Sequence, residues 1–148
     1  MEQADATDGL PPAVADRLGF LLGRAHLAHR QLAESELERL GLRAKESGAL
    51  ALLAGEEPLS QQQLGQRMGV DRTTMVALVD SLEGKNLVTR ERDPNDRRAY
   101  ALHLTAQGKH LLKRADAAVH RAEDEFLSVL PERDRRRLKE SLRRLIAR

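Results

Sequence analysis

Cysteine and tryptophan are absent from this chain of 148 residues, and tyrosine and phenylalanine together supply only three. Without a thiol there is no disulfide, no thiolate metal site and no cysteine-based peroxide sensing. With aromatics at 2%, the core has to be aliphatic, and the length suits one such core. Long apolar runs are missing too. Charged residues make up 32%, the mean hydropathy is −0.53, and no stretch approaches the length that crosses a bilayer. The first ten residues are acidic and polar, unlike the basic start and apolar middle of a secretion signal. A cytoplasmic location with no membrane partner is therefore expected. His26, His29, His103, His110 and His120 are dispersed along the chain, so no metal is expected. No nucleophile–base pair, phosphate-cradling glycine loop or carboxylate dyad is visible, so neither an enzyme nor a cofactor is expected.

What is present is an uneven distribution of charge. The formal net charge of +2 hides six Lys/Arg against ten Asp/Glu in residues 1–60, eight against six in 61–110, and eleven against seven in 111–148. Basic charge thus gathers in the second half of the chain. The run Arg133, Arg135, Arg136 and Arg137 alternates with Glu132 and Asp134 and reads as a solvated helix face.

Hydrophobic spacing predicts a mainly helical chain outside residues 88–105. Residues 1–12 are expected to be a disordered start ending at Pro11-Pro12. Val14, Leu18, Leu21, Leu22, Ala25, Ala28 and Leu32 predict a helix from about Ala13 to Arg30. A short helix over Ser35 to Leu40 should end at Gly41, and another over Ala44 to Ala54 at Gly55. Ser60 should cap a helix that ends at Gly69, and Asp71 should cap the next. In that second helix Met75, Leu78, Val79 and Leu82 share one side, leaving Arg72, Thr73, Val76, Ala77 and Asp80 outward. Thr105 should cap a long helix through Phe126, and Pro131 should open the last, with Leu138, Leu142, Leu145 and Ile146.

The Leu64 to Leu82 segment has the form of a helix-turn-helix. Gly65 is placed to allow close helix approach, Gly69 to allow the turn, and Leu64, Val70 and Leu78 to fill the space between. Such a unit presents the outer face of its second helix to a major groove wide enough to admit it. Residues 88–105 follow as two short strands around Pro94-Asn95, a turn pair whose Asn tolerates a left-handed backbone. Tyr100, Leu102 and Leu104 share one strand face. Arg97 and Arg98 beside Asp96 could insert a guanidinium into a minor groove, while neighbouring arginines hold phosphates. Helix-turn-helix plus basic hairpin makes a winged helix for double-stranded DNA.

Thr73-Thr74-Met75 to Leu82, Leu87-Val88, Asp93-Pro94-Asn95-Asp96-Arg97-Arg98, Leu102-His103-Leu104-Thr105 and Gly108 resemble the MarR family of bacterial transcription regulators over nearly the whole chain. The resemblance implies a mainly α (α+β) fold in one domain over residues 13–148. Its winged helix-turn-helix would occupy 43–104 and its dimerisation helices 13–40 and 105–148. It also implies an obligate homodimer on a pseudo-palindromic operator, with Asp96 orienting the wing arginines and Arg98 entering the minor groove. The expected DNA-contacting set is Ser60, Gln61, Arg72, Thr73, Thr74, Val76, Ala77, Arg90, Arg92, Asp96, Arg97 and Arg98. Val76 and Ala77 stand where polar residues are common in the family, which shifts base readout toward thymine methyl contacts and DNA shape. Asn86 replaces a customary glycine. A dimer is expected on physical grounds too, because Leu18, Leu22 and the Leu138/Leu142/Leu145 stripe exceed what a three-helix winged lobe can cover.

The resemblance further implies a repressor released from DNA by a small phenolic or carboxylate effector, typically an aromatic acid, through one shared equilibrium. Ser47 and Gly48 are small where relatives are bulky, and His26, His29, Arg30 and Lys45 lie on or beside the facing helix, so these six form the expected effector set. The alternative is a winged-helix protein-interaction module without DNA binding, a reading that loss of the wing arginines would favour; they are retained.

Overall fold

The structure, a computed structural model, describes residues 10–56 and 58–147. Most of the expected disordered start, residues 1–9, lies outside them. Pro12 instead opens a short helix, α1 (Pro12–Ala15), at a position where its missing N–H costs nothing. After Asp16 and Arg17, α2 (Leu18–Glu38) runs unbroken for 21 residues. The two separate helices predicted for this region are therefore one. Gln31, Leu32, Ala33 and Glu34 are good helix formers, and nothing among them interrupts the ladder. Gly41 stops the chain as expected, with a φ of 70°. The next helix, α3 (Ala44–Glu56), runs through Gly55 rather than ending there. Gly55 does not adopt a left-handed conformation, and Pro58 just beyond marks the end of helical backbone.

Ser60 closes β1 (Leu59–Ser60) and caps α4 (Gln61–Met68). Its Oγ accepts the Gln63 N–H at 3.1 Å, and Gln63 Oε1 accepts the Ser60 N–H at 2.8 Å, a complete capping box. Gly69 ends α4 at φ 64°. Asp71 then caps α5 (Arg72–Gly84), and Met75, Leu78, Val79 and Leu82 are its buried face as the spacing predicts. A methyl added at Gly65 would meet Val70 O at 3.5 Å and Met75 Cγ at 3.7 Å. These are ordinary contacts, so the expected close approach at Gly65 leaves room for alanine.

Strands β2 (Val88–Arg92) and β3 (Tyr100–Leu104) pair antiparallel, and β1 adds to the far side of β3, giving the order β1-β3-β2. Leu102 is opposite both Arg90 and Leu59 and is fully buried. Tyr100, expected on the same face as Leu102 and Leu104, is 47% exposed because the strand start projects past the core. Two Asx turns shape the tip. Asp93 Oδ1 accepts the Asn95 N–H at 2.8 Å and Asp96 Oδ1 accepts the Arg98 N–H at 2.9 Å. Asn95 itself is not left-handed; the non-glycine residue with positive φ among those described is Asn86, at 56°.

Asn86 sets the junction from α5 to the sheet. Thr105 Oγ1 donates to Asn86 O at 2.7 Å and accepts the Gly108 N–H at 2.9 Å, while the Thr105 N–H reaches Leu87 O at 3.1 Å. Helix α6 (Ala106–Phe126) starts from this knot, and α7 (Glu132–Ile146) follows Pro131. A Cβ on Gly108 would fall onto the Leu87 carbonyl oxygen and within 3.0 Å of its carbon. Backbone lies on both sides of that contact, so neither side can yield cheaply.

Two compact units result, one of residues up to Leu32 with those from Ala122 onward, the other Ala33–Arg121. The second holds the aliphatic core, including Leu50, Leu53, Leu64, Met75, Leu82 and Leu102. In the first, α7 buries no residue, and Leu18 (65%) and Ile146 (80%) are widely exposed. No described helix is long and apolar enough to cross a membrane.

One buried charge organises the larger unit. Glu46 is wholly buried; its carboxylate accepts the Arg43 N–H at 2.8 Å, Ser81 Oγ at 2.7 Å and Lys85 Nζ at 2.8–2.9 Å. Lys85 Nζ also donates to Gly41 O at 2.8 Å. Burial pushes the Glu46 carboxyl up, but hydrogen bonds from Lys85, Ser81 and the Arg43 backbone, with the Lys85 charge, outweigh it and hold the group below 4.5.

Because the folded-state value is depressed, Glu46 contributes stability above pH 4.5 that is lost as pH falls through the folded value. Chemical denaturation of Glu46→Gln should show a loss of about 2 kcal/mol at neutral pH, shrinking in acid; a difference independent of pH would refute the ion pair. In thermal melts, Gly108→Ala should cost about 2 kcal/mol or more, and Gly65→Ala less than about 1 kcal/mol. Equal costs would contradict the packing described.

Candidate nucleic-acid interface

The outer face of α5 and the wing lie in the same compact unit and are joined directly. Arg72, Thr73, Val76, Ala77 and Asp80 are all exposed on α5, as the helical period requires once Met75, Leu78, Val79 and Leu82 face inward. Val76, at 37% exposure, and Ala77 place methyl groups on a surface otherwise polar. Thr74 has another duty. Its Oγ1 donates to Asp71 Oδ2 at 2.6 Å and its N–H to Oδ1 at 2.9 Å. These bonds, the side-chain one first, hold the Asp71 carboxyl below its ordinary value. Thr74 is thus a capping partner rather than an outward-facing side chain. Ser60, likewise expected at the interface, has its hydroxyl in the α4 cap, and neighbouring Gln61 is half-buried.

The wing arginines divide into two kinds. Arg90, expected to face DNA, turns instead to α5, with Nη2 at 2.5 Å from Asp80 and Nη1 at 3.4 Å from Glu83. Its strand position, opposite Leu102 near the sheet centre, brings the guanidinium back over the end of the helix. Arg92, Arg97, Arg98 and, on α5, Arg72 are exposed, and no carboxylate among the described residues pairs with them. Asp96 acts on the tip through backbone, since it receives the Arg98 N–H and not a guanidinium.

Between α4, the start of α5 and the wing lies a cleft of about 810 Å³. Of the residues expected to contact DNA, Ser60, Gln61, Arg72, Asp96 and Arg98 border it, and so do Gln62, Gln66 and Tyr100, which were not among them. The signal available was the i, i+4 glutamine pair on the polar side of α4 and a lone tyrosine at the wing.

The expected effector residues fall in both units. On α2, His26 is exposed, His29 is half-buried with its ring edge-on to Phe126 at 5.5 Å, and Arg30 already has a partner. On α3, Ser47 is buried, while Lys45 and Gly48 are exposed one turn apart.

The comparison with known proteins agrees with this geometry. Residues 40–99 match the model described as MarR family. A protein of Thauera aromatica named putative transcriptional regulatory protein for hcr operon is 36% identical over 143 residues, 96% of this chain and 86% of that one. Among solved structures, the transcriptional repressor CouR bound to a 23-mer DNA duplex is 33% identical with a TM-score of 0.83, covering 93% of this chain and 96% of its own. The PcaV regulator of Streptomyces coelicolor, solved in complex with its natural ligand, is 26% identical with a TM-score of 0.72, covering 99% and 98%. Winged helix, unpaired cations beside an outward helix face, and these relatives converge: the chain belongs to the MarR family and is a DNA-binding transcription regulator.

Proposed function

We propose that this regulator is a repressor that binds a pseudo-palindromic operator as a homodimer and leaves it when a small phenolic or carboxylate effector binds. The observation that carries the DNA mode is the contrast among arginines. Arg90 is neutralised within the protein, whereas Arg72, Arg92, Arg97 and Arg98 are left for phosphates and grooves. Helix α5 enters the major groove with Arg72, Thr73, Val76 and Ala77 toward base edges, and Arg97 or Arg98 enters the adjacent minor groove. Valine and alanine favour thymine methyl contacts, so sequence discrimination rests partly on DNA shape.

Exposed leucines support the dimer. Leu18, Leu21, Leu22 and Leu27 on α2, with Leu145 and Ile146 on α7, are between 44% and 80% exposed, large apolar side chains that association with a second copy would cover. A twofold axis then presents two α5 helices to successive major grooves. The effector reading is supported by the ligand-bound PcaV relative and by α3, where Lys45 offers a cation beside the open surface at Gly48. The nearest atom to a Cβ built on Gly48 is Met68 Cε at 3.9 Å, so a larger residue there occupies that surface without strain.

Fragments of the source genome selected for binding supply the operator. Sedimentation of the free protein should give twice the 16.5 kDa chain mass. Titrations at several salt concentrations should show Arg98→Ala weakening binding across sequences and lowering the salt slope by about one unit per protomer. An unchanged slope removes the wing from the interface. A screen of aromatic acids and phenols should find compounds that release the fragment from wild type; Gly48→Leu should abolish that release at unaltered DNA affinity. A full response in the variant places the effector elsewhere.

A further inference from the structure

Arg72, at the start of α5, and Asp96 and Arg98 of the wing tip all line the cleft described above. In any duplex, a major groove and the minor groove beside it are separated by one sugar–phosphate strand. A protein that puts α5 in the first and the wing in the second must pass that strand across the ground between them. Here the ground is concave, and its chemistry is suited to a phosphodiester. Arg72 and Arg98 supply two cations, and Gln62, Gln66 and Tyr100 supply neutral donors. Asp96 is the one carboxylate on the lining, and its Oδ1 already accepts the Arg98 N–H at 2.9 Å. The volume of about 810 Å³ lies in the range of clefts that hold a small organic ligand, which leaves room for a nucleotide unit of the backbone.

We infer that this cleft seats the DNA backbone strand between the two grooves, with Tyr100, Gln62 and Gln66 donating to its phosphate oxygens beside Arg72 and Arg98. The inference rests on the DNA-binding mode proposed above and extends the contact surface to α4 and to a tyrosine outside the helix-turn-helix. Tyr100 suits the task, being 47% exposed at the point where β3 leaves the core. It lines the cleft, and its phenol is a donor for an acceptor seated there. Gln62 and Gln66 are four residues apart on α4, so both amides line the same side. Because the contact is to backbone, it strengthens binding to every sequence and carries no discrimination of its own.

The test compares wild type, Tyr100→Phe, Gln66→Glu and Arg98→Ala on a selected genomic fragment and on a random-sequence duplex. Tyr100→Phe should weaken both complexes about three- to tenfold, the effect of one lost hydrogen bond, with the salt slope unchanged because no charge is removed. Gln66→Glu sets a carboxylate against the phosphates and should weaken both at least about tenfold, most strongly at low salt. Circular-dichroism melts should stay at the wild-type temperature, since both side chains are exposed. The chain has a single tyrosine, so 3-fluorotyrosine labelling gives one fluorine resonance, which should shift on adding the random duplex. If both variants bind like wild type while Arg98→Ala is weakened, the cleft assignment is overturned and the groove reading stands. A loss confined to the selected fragment would make the contacts base-specific and also overturn it. Wild type failing to bind either duplex at low salt would overturn both readings together.

Discussion

Glu46 is a full negative charge removed from water, and much of the DNA-facing geometry depends on what surrounds it. An unpaired carboxylate there would unfold the site or take up a proton. Instead it receives the N–H of Arg43, just before α3, a hydroxyl from Ser81 and the ammonium of Lys85, which also reaches Gly41 O. The turn after α2, the first turn of α3 and the last turn of α5 therefore meet at one point. Lys85 remains partly exposed, which lowers the desolvation cost that makes fully buried pairs unprofitable. Fixing the end of α5 fixes its rotation about its own axis. That rotation decides whether Arg72, Thr73, Val76 and Ala77 look outward.

A second set of contacts fixes the wing to the same helix. Asn86 takes the left-handed conformation, the chain reverses, and Thr105 and Gly108 close over Leu87 O and Asn86 O. Farther out, Arg90 reaches from β2 to Asp80 and Glu83. The pairing holds the ribbon on the helix and, in the proposed binding mode, neutralises two carboxylates on the side that meets the phosphates. The helix and the ribbon are thus presented as one piece. Grooves at fixed spacing can be met by such a piece with little further ordering, which limits the entropy lost on binding.

Much of this was legible in the sequence, for reasons that differ from residue to residue. Ser60, Gly69, Asp71 and Thr105 announce helix ends by local chemistry alone, and the structure places each at its cap. The buried face of α5 follows from a period that nothing disturbs. The boundary between α2 and the predicted short helix after it was misjudged because a change of hydrophobic stripe resembles a break when no breaker is present. Glu46 was invisible as a hub. Only its bond to the Arg43 N–H, one half of a capping box, is local, while Ser81 and Lys85 lie 35 and 39 residues away. The ion pairs of Arg90 were invisible for a related reason, since a run of wing arginines looks uniform until strand register brings one of them to the helix. Gln62, Gln66 and Tyr100 meet only through the tertiary fold.

The division of the arginines also bears on how affinity and specificity are shared. A net charge of +2 gives weak overall attraction to a polyanion, so the field that matters is local. Cations paired inside the protein release no counterions on binding; only the unpaired ones set the salt dependence. In the proposed mode these are, among the described residues of α5 and the wing, Arg72 at the helix start and Arg92, Arg97 and Arg98 on the hairpin. Few charges on a rigid frame make register on the duplex depend on where the grooves lie. In the proposed binding mode, where Val76 and Ala77 offer methyls in place of bidentate donors, the width of the minor groove beneath the wing becomes part of what is read. In that mode a sequence that narrows the groove attracts the wing arginine more strongly, and discrimination arises partly at base pairs outside the reach of α5.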